Sequence, residues 1–196
     1  MGEELGDDFY DKVYRTGGNN KMYFKDAKDM VHYYPTWLYA YDYIKKNNIK
    51  TVIDFGCGPG HFSTLFNQSD GISYLGYDFS EVAIDQAIER NKDNLNNRFE
   101  VQDLKSIELS GENDFYTSFE FLEHVSFDIE IVSKLKKGDE ILFSVPNYDS
   151  AGHFIYYDNF NNIVGRFGGV LSLSLAHEVS LNNNGKKIYL CHGVRI

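Results

Sequence analysis

The sequence predicts an α/β fold, a three-layer sandwich with helices on both faces of a mostly parallel sheet. Three observations carry this. Apolar runs of strand length alternate with helical stretches from Lys50 to Val145, the pattern of a parallel sheet covered on both faces. The first apolar run ends in a glycine-rich turn, Gly56-Cys57-Gly58-Pro59-Gly60, of the kind that lets a ligand approach the backbone at the end of a strand. The last third changes character and closes on two extended runs joined by Asn182-Asn183-Asn184-Gly185, which reads as a β-hairpin.

Taken in order, Asp8 to Tyr14 reads as a short helix, broken by Gly17-Gly18-Asn19-Asn20. Pro35 suits the first turn of a helix running to about Asn47. Strands are expected at Lys50–Phe55, Ser73–Tyr77, Arg98–Val101, Asp114–Ser118 and Glu140–Val145, interleaved with helices at His61–Gln68, Glu81–Arg90 and Ile129–Lys136. Ser80 is placed to cap the helix that starts at Glu81. Phe160–Phe167 reads as a last helix, and Leu171–Ser180 with Lys187–Ile196 as the closing hairpin. The Asn-rich patch Asn91 to Asn97 reads as a turn.

A chain of 196 residues is expected to be one domain with a sizeable core. Residues 1–34 form an aromatic N-terminal segment, a candidate lid that Gly17-Gly18 would let move, and 35–196 form the core. The net charge of −10 argues against a nucleic-acid partner, which calls for clustered Lys and Arg. No apolar run approaches a membrane span, and the acidic start lacks the blocks of a signal peptide. Cysteine occurs only at 57 and 191, and Cys57 lies in the glycine turn, so no structural disulfide is expected and a cytoplasmic location fits.

The glycine spacing decides between ligands. A dinucleotide fingerprint needs G-x-G-x-x-G, and here the last position is His61. The chain instead reads Asp54-Phe55-Gly56-Cys57-Gly58-Pro59-Gly60. This D-x-G-x-G-x-G string resembles the first motif of the class I S-adenosylmethionine-dependent methyltransferases. Three later strings agree in order: Tyr74-Leu75-Gly76-Tyr77-Asp78-Phe79, Phe99-Glu100-Val101-Gln102-Asp103-Leu104, and Phe119-Glu120-Phe121-Leu122-Glu123-His124-Val125. The last of these, with Ser144-Val145-Pro146-Asn147 and His153, resembles the ubiquinone-biosynthesis-like branch, whose enzymes methylate small molecules.

The resemblance implies a Rossmann-like, seven-stranded sheet and a cofactor site. Asp54, Gly56, Cys57, Gly58, Gly60, His61 and Phe62 come from the first motif. Asp78 with Phe79 would hold the ribose hydroxyls, a task suited to a carboxylate that accepts two hydrogen bonds. Gln102, Asp103 and Leu104 would meet the adenine, and Phe119 and Glu120 would line the pocket. The acceptor would be a small molecule, methylated at oxygen, with His124, an imidazole expected to titrate near neutrality, as the first candidate base and Glu120 and His153 as further catalytic candidates. Glu120, Glu123, His124 and His153 also resemble the divalent-metal site of the small-RNA 2′-O-methyltransferases. The simpler alternative has no metal, with Glu120 lining the cofactor pocket and Glu123 solvated. An RNA 2′-O- or base methyltransferase and a non-catalytic cofactor-binding partner protein stand as alternatives. The oligomeric state and the acceptor's identity are not written in the sequence.

Overall fold

The computed structural model describes residues 4–109, 115–181 and 184–196. Asp114, expected to open a strand, and Asn182-Asn183 of the hairpin turn lie outside the described residues. Helices α1 (Asp7–Thr16), α2 (Tyr34–Lys46), α3 (Glu81–Arg90), α4 (Asp128–Ser133) and α5 (Phe160–Phe167) accompany seven strands. These are β1 (Thr51–Phe55), β2 (Ser73–Asp78), β3 (Asn97–Val101), β4 (Phe115–Phe119), β5 (Glu140–Pro146), β6 (Leu171–Ser180) and β7 (Lys187–Arg195). The sheet order is β3-β2-β1-β4-β5-β7-β6. Strand β7 pairs antiparallel with both β5 and β6. This is the mostly parallel sheet with a closing hairpin that the alternation of elements and the resemblance together imply.

The chain forms two compact units, Leu5–Leu104 and Lys105–Ile196 with Glu4. In the first, parallel pairs join β1 to β2 and β2 to β3, with Asp54 opposite Gly76 and Asp78 opposite Val101. Gly76 is needed there, because a Cβ would stand 2.8 Å from Cys57 Sγ and 3.0 Å from the Phe99 ring. Ile44, Val52, Phe55, Tyr74 and Ala87 fill this core. Ser80 caps α3 as expected, its hydroxyl accepting from the Ala83 N–H at 3.1 Å.

The expected helix His61–Gln68 does not form. A 3-10 turn covers Phe62–Leu65, Phe66 is extended, and a second 3-10 turn covers Gln68–Asp70. The reason is local. The Ser63 and Thr64 hydroxyls donate to the carbonyls of Gly60 (2.8 Å) and His61 (2.7 Å), a competition that Ser and Thr offer to helical bonding. A capping box between Asn67 and Asp70 then restarts the chain. The glycine turn is therefore not backed by a helix dipole.

In the second unit, β4 and β5 pair in parallel with Phe119 opposite Ser144. Leu122, Ile131, Leu142, Phe143, Ile163, Phe167 and Leu190 form its core. Asp128 at the start of α4 is buried and accepts two hydrogen bonds from Arg166 of α5, at 3.0 and 2.6 Å. That fork fixes α5 beneath the closing hairpin strand β6, with which it packs. No helix among the described residues is long and apolar enough to cross a membrane.

Candidate functional site

Two clusters contain the residues singled out by the sequence, one in each unit. Each follows the carboxyl end of a parallel strand, where open α/β sheets bind their ligands.

The first is the glycine turn after β1 and the tip of β2. Gly56, Gly58 and Gly60 adopt φ of 70°, 52° and 70°, the left-handed region that glycine enters at little steric cost. The turn is tied to β2 by the N–H groups of Gly56 and Cys57, both donating to the Tyr77 carbonyl at 2.9 Å. Asp78 accepts from Gly58 N–H at Oδ2 and from Ser80 N–H at Oδ1, both at 2.9 Å. Burial lifts its carboxyl from the usual range to about 6, against the lowering effect of the Ser80, Gly58 and Phe79 N–H groups. A carboxylate offers about four lone-pair sites, so capacity remains for a ligand hydroxyl beside these N–H donors. Asp54 is buried and accepts from the Tyr74 hydroxyl at 2.5 Å. Burial, then the charges of Asp78 and Asp54, push the Cys57 thiol well up, so it stays protonated and unreactive.

Other members of the expected cofactor set are committed elsewhere by their side chains. His61 donates from Nε2 to the Lys25 carbonyl at 3.2 Å and stacks on Trp37 at 6.0 Å. Its burial lowers the ring pKa to about 3, so it is neutral. Phe62 packs against Phe66 and Tyr74. Phe79 meets Tyr10 edge-on at 5.6 Å. Gln102 donates its side-chain amide to the Asp103 carbonyl at 2.9 Å, and Asp103 itself is exposed while Leu104 is buried.

The second cluster follows β4. Glu120 has φ of 51°, a strained value for a side chain with a Cβ and one that recurs at functional positions. Ser144 holds it. The Glu120 N–H donates to Ser144 Oγ at 3.0 Å, and that hydroxyl donates to Glu120 Oε1 at 2.8 Å. The parallel register that sets Phe119 opposite Ser144 brings this partner into place. The sequence contains Ser144 in a quoted motif, but only the register reveals its task. Burial raises Glu120 to about 7.

Glu123 is fully buried, contrary to the solvated placement expected for it. Its two carboxylate oxygens have no hydrogen-bond partner. Burial first, then the charge of Glu120, raise its pKa well above the ordinary value. The main-chain carbonyl of Glu123 accepts from the N–H groups of Phe154 (2.7 Å) and Ile155 (3.1 Å). That fastening draws the loop after β5 over the cluster and sets His153 against His124, with ring centroids 4.8 Å apart.

Tautomers follow from the partners. His124 Nδ1 faces the Gly152 carbonyl at 2.8 Å and His153 Nδ1 faces the Tyr148 carbonyl at 3.1 Å. A carbonyl can only accept, so both Nδ1 atoms carry the proton in the neutral rings and both Nε2 atoms present lone pairs. Burial lowers His124 to about 4 and also lowers His153. The expected titration of His124 near neutrality is thus corrected downward. One ligand atom each from Glu123, His124 and His153 lies within 4.8 Å of the others. Glu120, expected as a fourth member, is outside this group and bonded to Ser144.

Comparison with known proteins bears on the fold and the family. No curated protein matches the chain in sequence. In structure it is similar to magnesium protoporphyrin IX methyltransferase from Synechocystis with bound S-adenosylmethionine, at 20% identity, with all of both chains covered and a TM-score of 0.69. It is also similar to the N-methyltransferase NodS from Bradyrhizobium japonicum in complex with S-adenosylhomocysteine. There the identity is 15%, the coverage 74% of this chain and 78% of that one, and the TM-score 0.58. A third likeness is to a phosphoethanolamine N-methyltransferase of Haemonchus contortus, at 13% identity, 75% and 49% coverage and a TM-score of 0.58. The fold is that of the class I methyltransferases. The family model described as a methyltransferase domain matches residues 24–183, a span that includes the glycine turn, Asp78 and all of the Glu120–His153 cluster, and the chain belongs to that family.

Proposed function

We propose that the protein transfers a methyl group from S-adenosylmethionine to the oxygen of a small molecule. The observation that carries the cofactor reading is Asp78, a buried carboxylate at the tip of β2 bonded to the Gly58 N–H of the glycine turn. The structural relatives named with S-adenosylmethionine or S-adenosylhomocysteine support it. Methyl transfer from a sulfonium is an in-line displacement in which holding the acceptor supplies much of the rate. A hydroxyl acceptor must also lose a proton as the new bond forms, and the chain offers neutral His124 and the carboxyl of Glu120 for that step. A screen of small molecules with a labelled methyl donor tests this reading. Label is expected on an oxygen, and label on nitrogen, carbon or RNA would contradict it.

Asp78 makes a pH dependence. A carboxyl raised in the folded state favours folding when protonated, so its contribution to stability is lost as pH rises through about 6. Cofactor binding has the opposite sign, because the carboxylate is the better ribose acceptor. S-adenosylhomocysteine affinity is therefore expected to rise between pH 5 and pH 7. In Asp78→Asn it should be weaker by about 1–3 kcal/mol and flat with pH. A slope that survives in the variant would assign the dependence to another group.

A divalent metal is a second reading, favoured by the unpartnered, fully buried Glu123 carboxylate between two imidazoles with lone pairs at Nε2. Two histidines and one carboxylate suit a transition metal or Mn²⁺, and imidazoles that donate their other N–H to a carbonyl are the usual form of such ligands. Glu123, His124 and His153 would hold the ion, which would act as a Lewis acid on the acceptor oxygen. Chelation is expected to lower both activity and melting temperature, and Mn²⁺ to restore both. Full activity in chelator, with no metal by elemental analysis, would leave the histidines their base or packing roles.

A further inference from the structure

The Ser144-Val145-Pro146-Asn147 string ends in a residue that the site described above does not use. Asn147 follows β5 and grips the end of the β6–β7 hairpin. Its side-chain amide donates to the Gly185 carbonyl at 2.9 Å, and its Oδ1 accepts from the Lys187 N–H at 2.6 Å. Its own N–H donates to the Lys187 carbonyl at 3.0 Å. The residue between those two anchors is Lys186, so one asparagine brackets the lysine on both sides.

The bracket delivers Lys186 to the edge of the Glu123–His124–His153 cluster. Its Nζ lies over the Tyr148 ring, 4.7 Å from the centroid. The Tyr148 ring is 6.0 Å from that of His153, whose Nδ1 proton its carbonyl accepts. His153 in turn meets His124 at 4.8 Å. A short row therefore runs from His124 through His153 and Tyr148 to Lys186, all within one compact unit. Burial first, then the charges of Glu120 and Glu123, push the Tyr148 phenol well up. Its hydroxyl stays protonated, a donor within the field of the two carboxyls.

Charge sets this lysine apart. The neighbouring Lys187 is tied to Glu178 at 2.8 Å. Among the described residues Lys186 makes no ion pair, and it is exposed. Near neutral pH the two histidines are uncharged and Glu123 is protonated. Asp149, whose charge acts on His153, is exposed. Lys186 is thus a held positive charge beside a cluster that has no cation of its own. A cation–π contact on an exposed ring is weak, and it leaves the ammonium donors open to an anion.

We propose that Lys186 and Tyr148 determine acceptor specificity, and that the acceptor is a hydroxyl compound carrying a carboxylate or a phosphate. The anionic group binds the Lys186 ammonium and the Tyr148 hydroxyl, which sets the acceptor hydroxyl on the His153 and His124 side. Asn147 is a positioning residue that acts through Lys186. The proposal rests on the reading of a small-molecule acceptor. The anion contacts are the same before and during methyl transfer, so they act on KM rather than kcat.

Amide NMR of the wild-type protein, titrated with sodium acetate and with inorganic phosphate against sodium chloride at equal ionic strength, tests the subsite. Acetate or phosphate is expected to shift the Lys186 and Tyr148 signals saturably, and the stronger of the two names the group. In Lys186→Gln the response should be lost. No response beyond that to chloride, or an equal response in Lys186→Gln, overturns the proposal alone. The labelled-donor screen, sorted into anionic, neutral and cationic hydroxyl compounds, tests the substrate class. Label is expected in the anionic pool. With that acceptor, Lys186→Gln and Asn147→Ala should each raise KM by about 3- to 10-fold at unchanged kcat, and the double variant should go no further than Lys186→Gln. Label confined to neutral or cationic compounds overturns the proposal and leaves methyl transfer standing. Label on no small molecule removes that reading and the proposal together.

Discussion

His124→Ala is expected to lower kcat by about 10²–10⁴ while leaving S-adenosylhomocysteine affinity close to the wild-type value. The imidazole is held by the Gly152 carbonyl at Nδ1, which leaves Nε2 as the basic atom toward the Glu123 side, 3.8 Å from Oε1. As a base or as a metal ligand, that atom is lost in the variant. His124→Asn is the control for packing, since its amide N takes the place of Nδ1 and can still donate to the Gly152 carbonyl but supplies no imidazole lone pair. Rates should stay low in Asn with stability near wild type. The pH profile separates His124 from its neighbour. Burial sets His124 at about 4 and Glu120 at about 7, so His124 acts as the neutral form throughout the physiological range. A rate that rises through pH 7 and loses that rise in Glu120→Gln would make the Glu120 carboxylate the base. A wild-type rate in His124→Ala would mean that proximity alone drives transfer, and a nitrogen acceptor would then be the better choice.

Gly60→Ala is expected to destabilise the fold by about 3 kcal/mol or more, a fall in melting temperature on the order of 10 °C. The residue has φ of 70°, which already disfavours a side chain. A Cβ would also stand 2.8 Å from Ala87 Cβ and 3.0 Å from Ala87 Cα. The last is backbone of α3 and cannot turn aside. The same carbonyl turn anchors Asn91 and Ser63, whose side chains donate to Gly60 O at 3.1 and 2.8 Å. Gly58→Ala should behave differently. Its φ of 52° imposes strain of about 1–2 kcal/mol, but the nearest atom to a new Cβ is the Tyr14 hydroxyl at 3.4 Å. The new methyl group would instead fill the face proposed for the cofactor. Thermal melts and calorimetry should therefore assign the larger stability loss to Gly60 and the larger affinity loss to Gly58. The opposite assignment would move the cofactor away from Gly58.

Much of the fold was legible because its signals are local. Strand runs, the Ser80 cap and the Pro35 helix start each follow from a few neighbouring residues. Apart from the helix after the glycine turn, the elements begin and end within a residue or two of expectation, save that α4 stops at Ser133, three residues before the expected Lys136. The helix after the glycine turn was misread because the hydroxyls of Ser63 and Thr64 and the Asn67–Asp70 box compete with helical bonding, and apolar spacing at Phe62 and Phe66 does not register that competition. The cofactor motifs were readable as strings. What the strings did not contain is the state of each group. Glu123 is buried because the loop after β5 is pinned to its carbonyl, a contact made across some thirty residues that no spacing encodes. The same loop, through Gly152 and Tyr148, fixes both histidine tautomers. Tyr14 was visible as one aromatic among many, and only the packing of α1 gives it a place over Gly58.

The turn at Gly56–Gly60 and the carboxylate of Asp78 are proposed to hold S-adenosylmethionine. Isothermal calorimetry of the wild-type protein with S-adenosylhomocysteine, run beside NAD and beside Asp78→Ala, tests it most directly. One equivalent of S-adenosylhomocysteine is expected to bind, NAD to give no heat, and Asp78→Ala to weaken binding by about 1–3 kcal/mol without unfolding. No binding of S-adenosylhomocysteine, or the same affinity in a folded Asp78→Ala, would contradict the account.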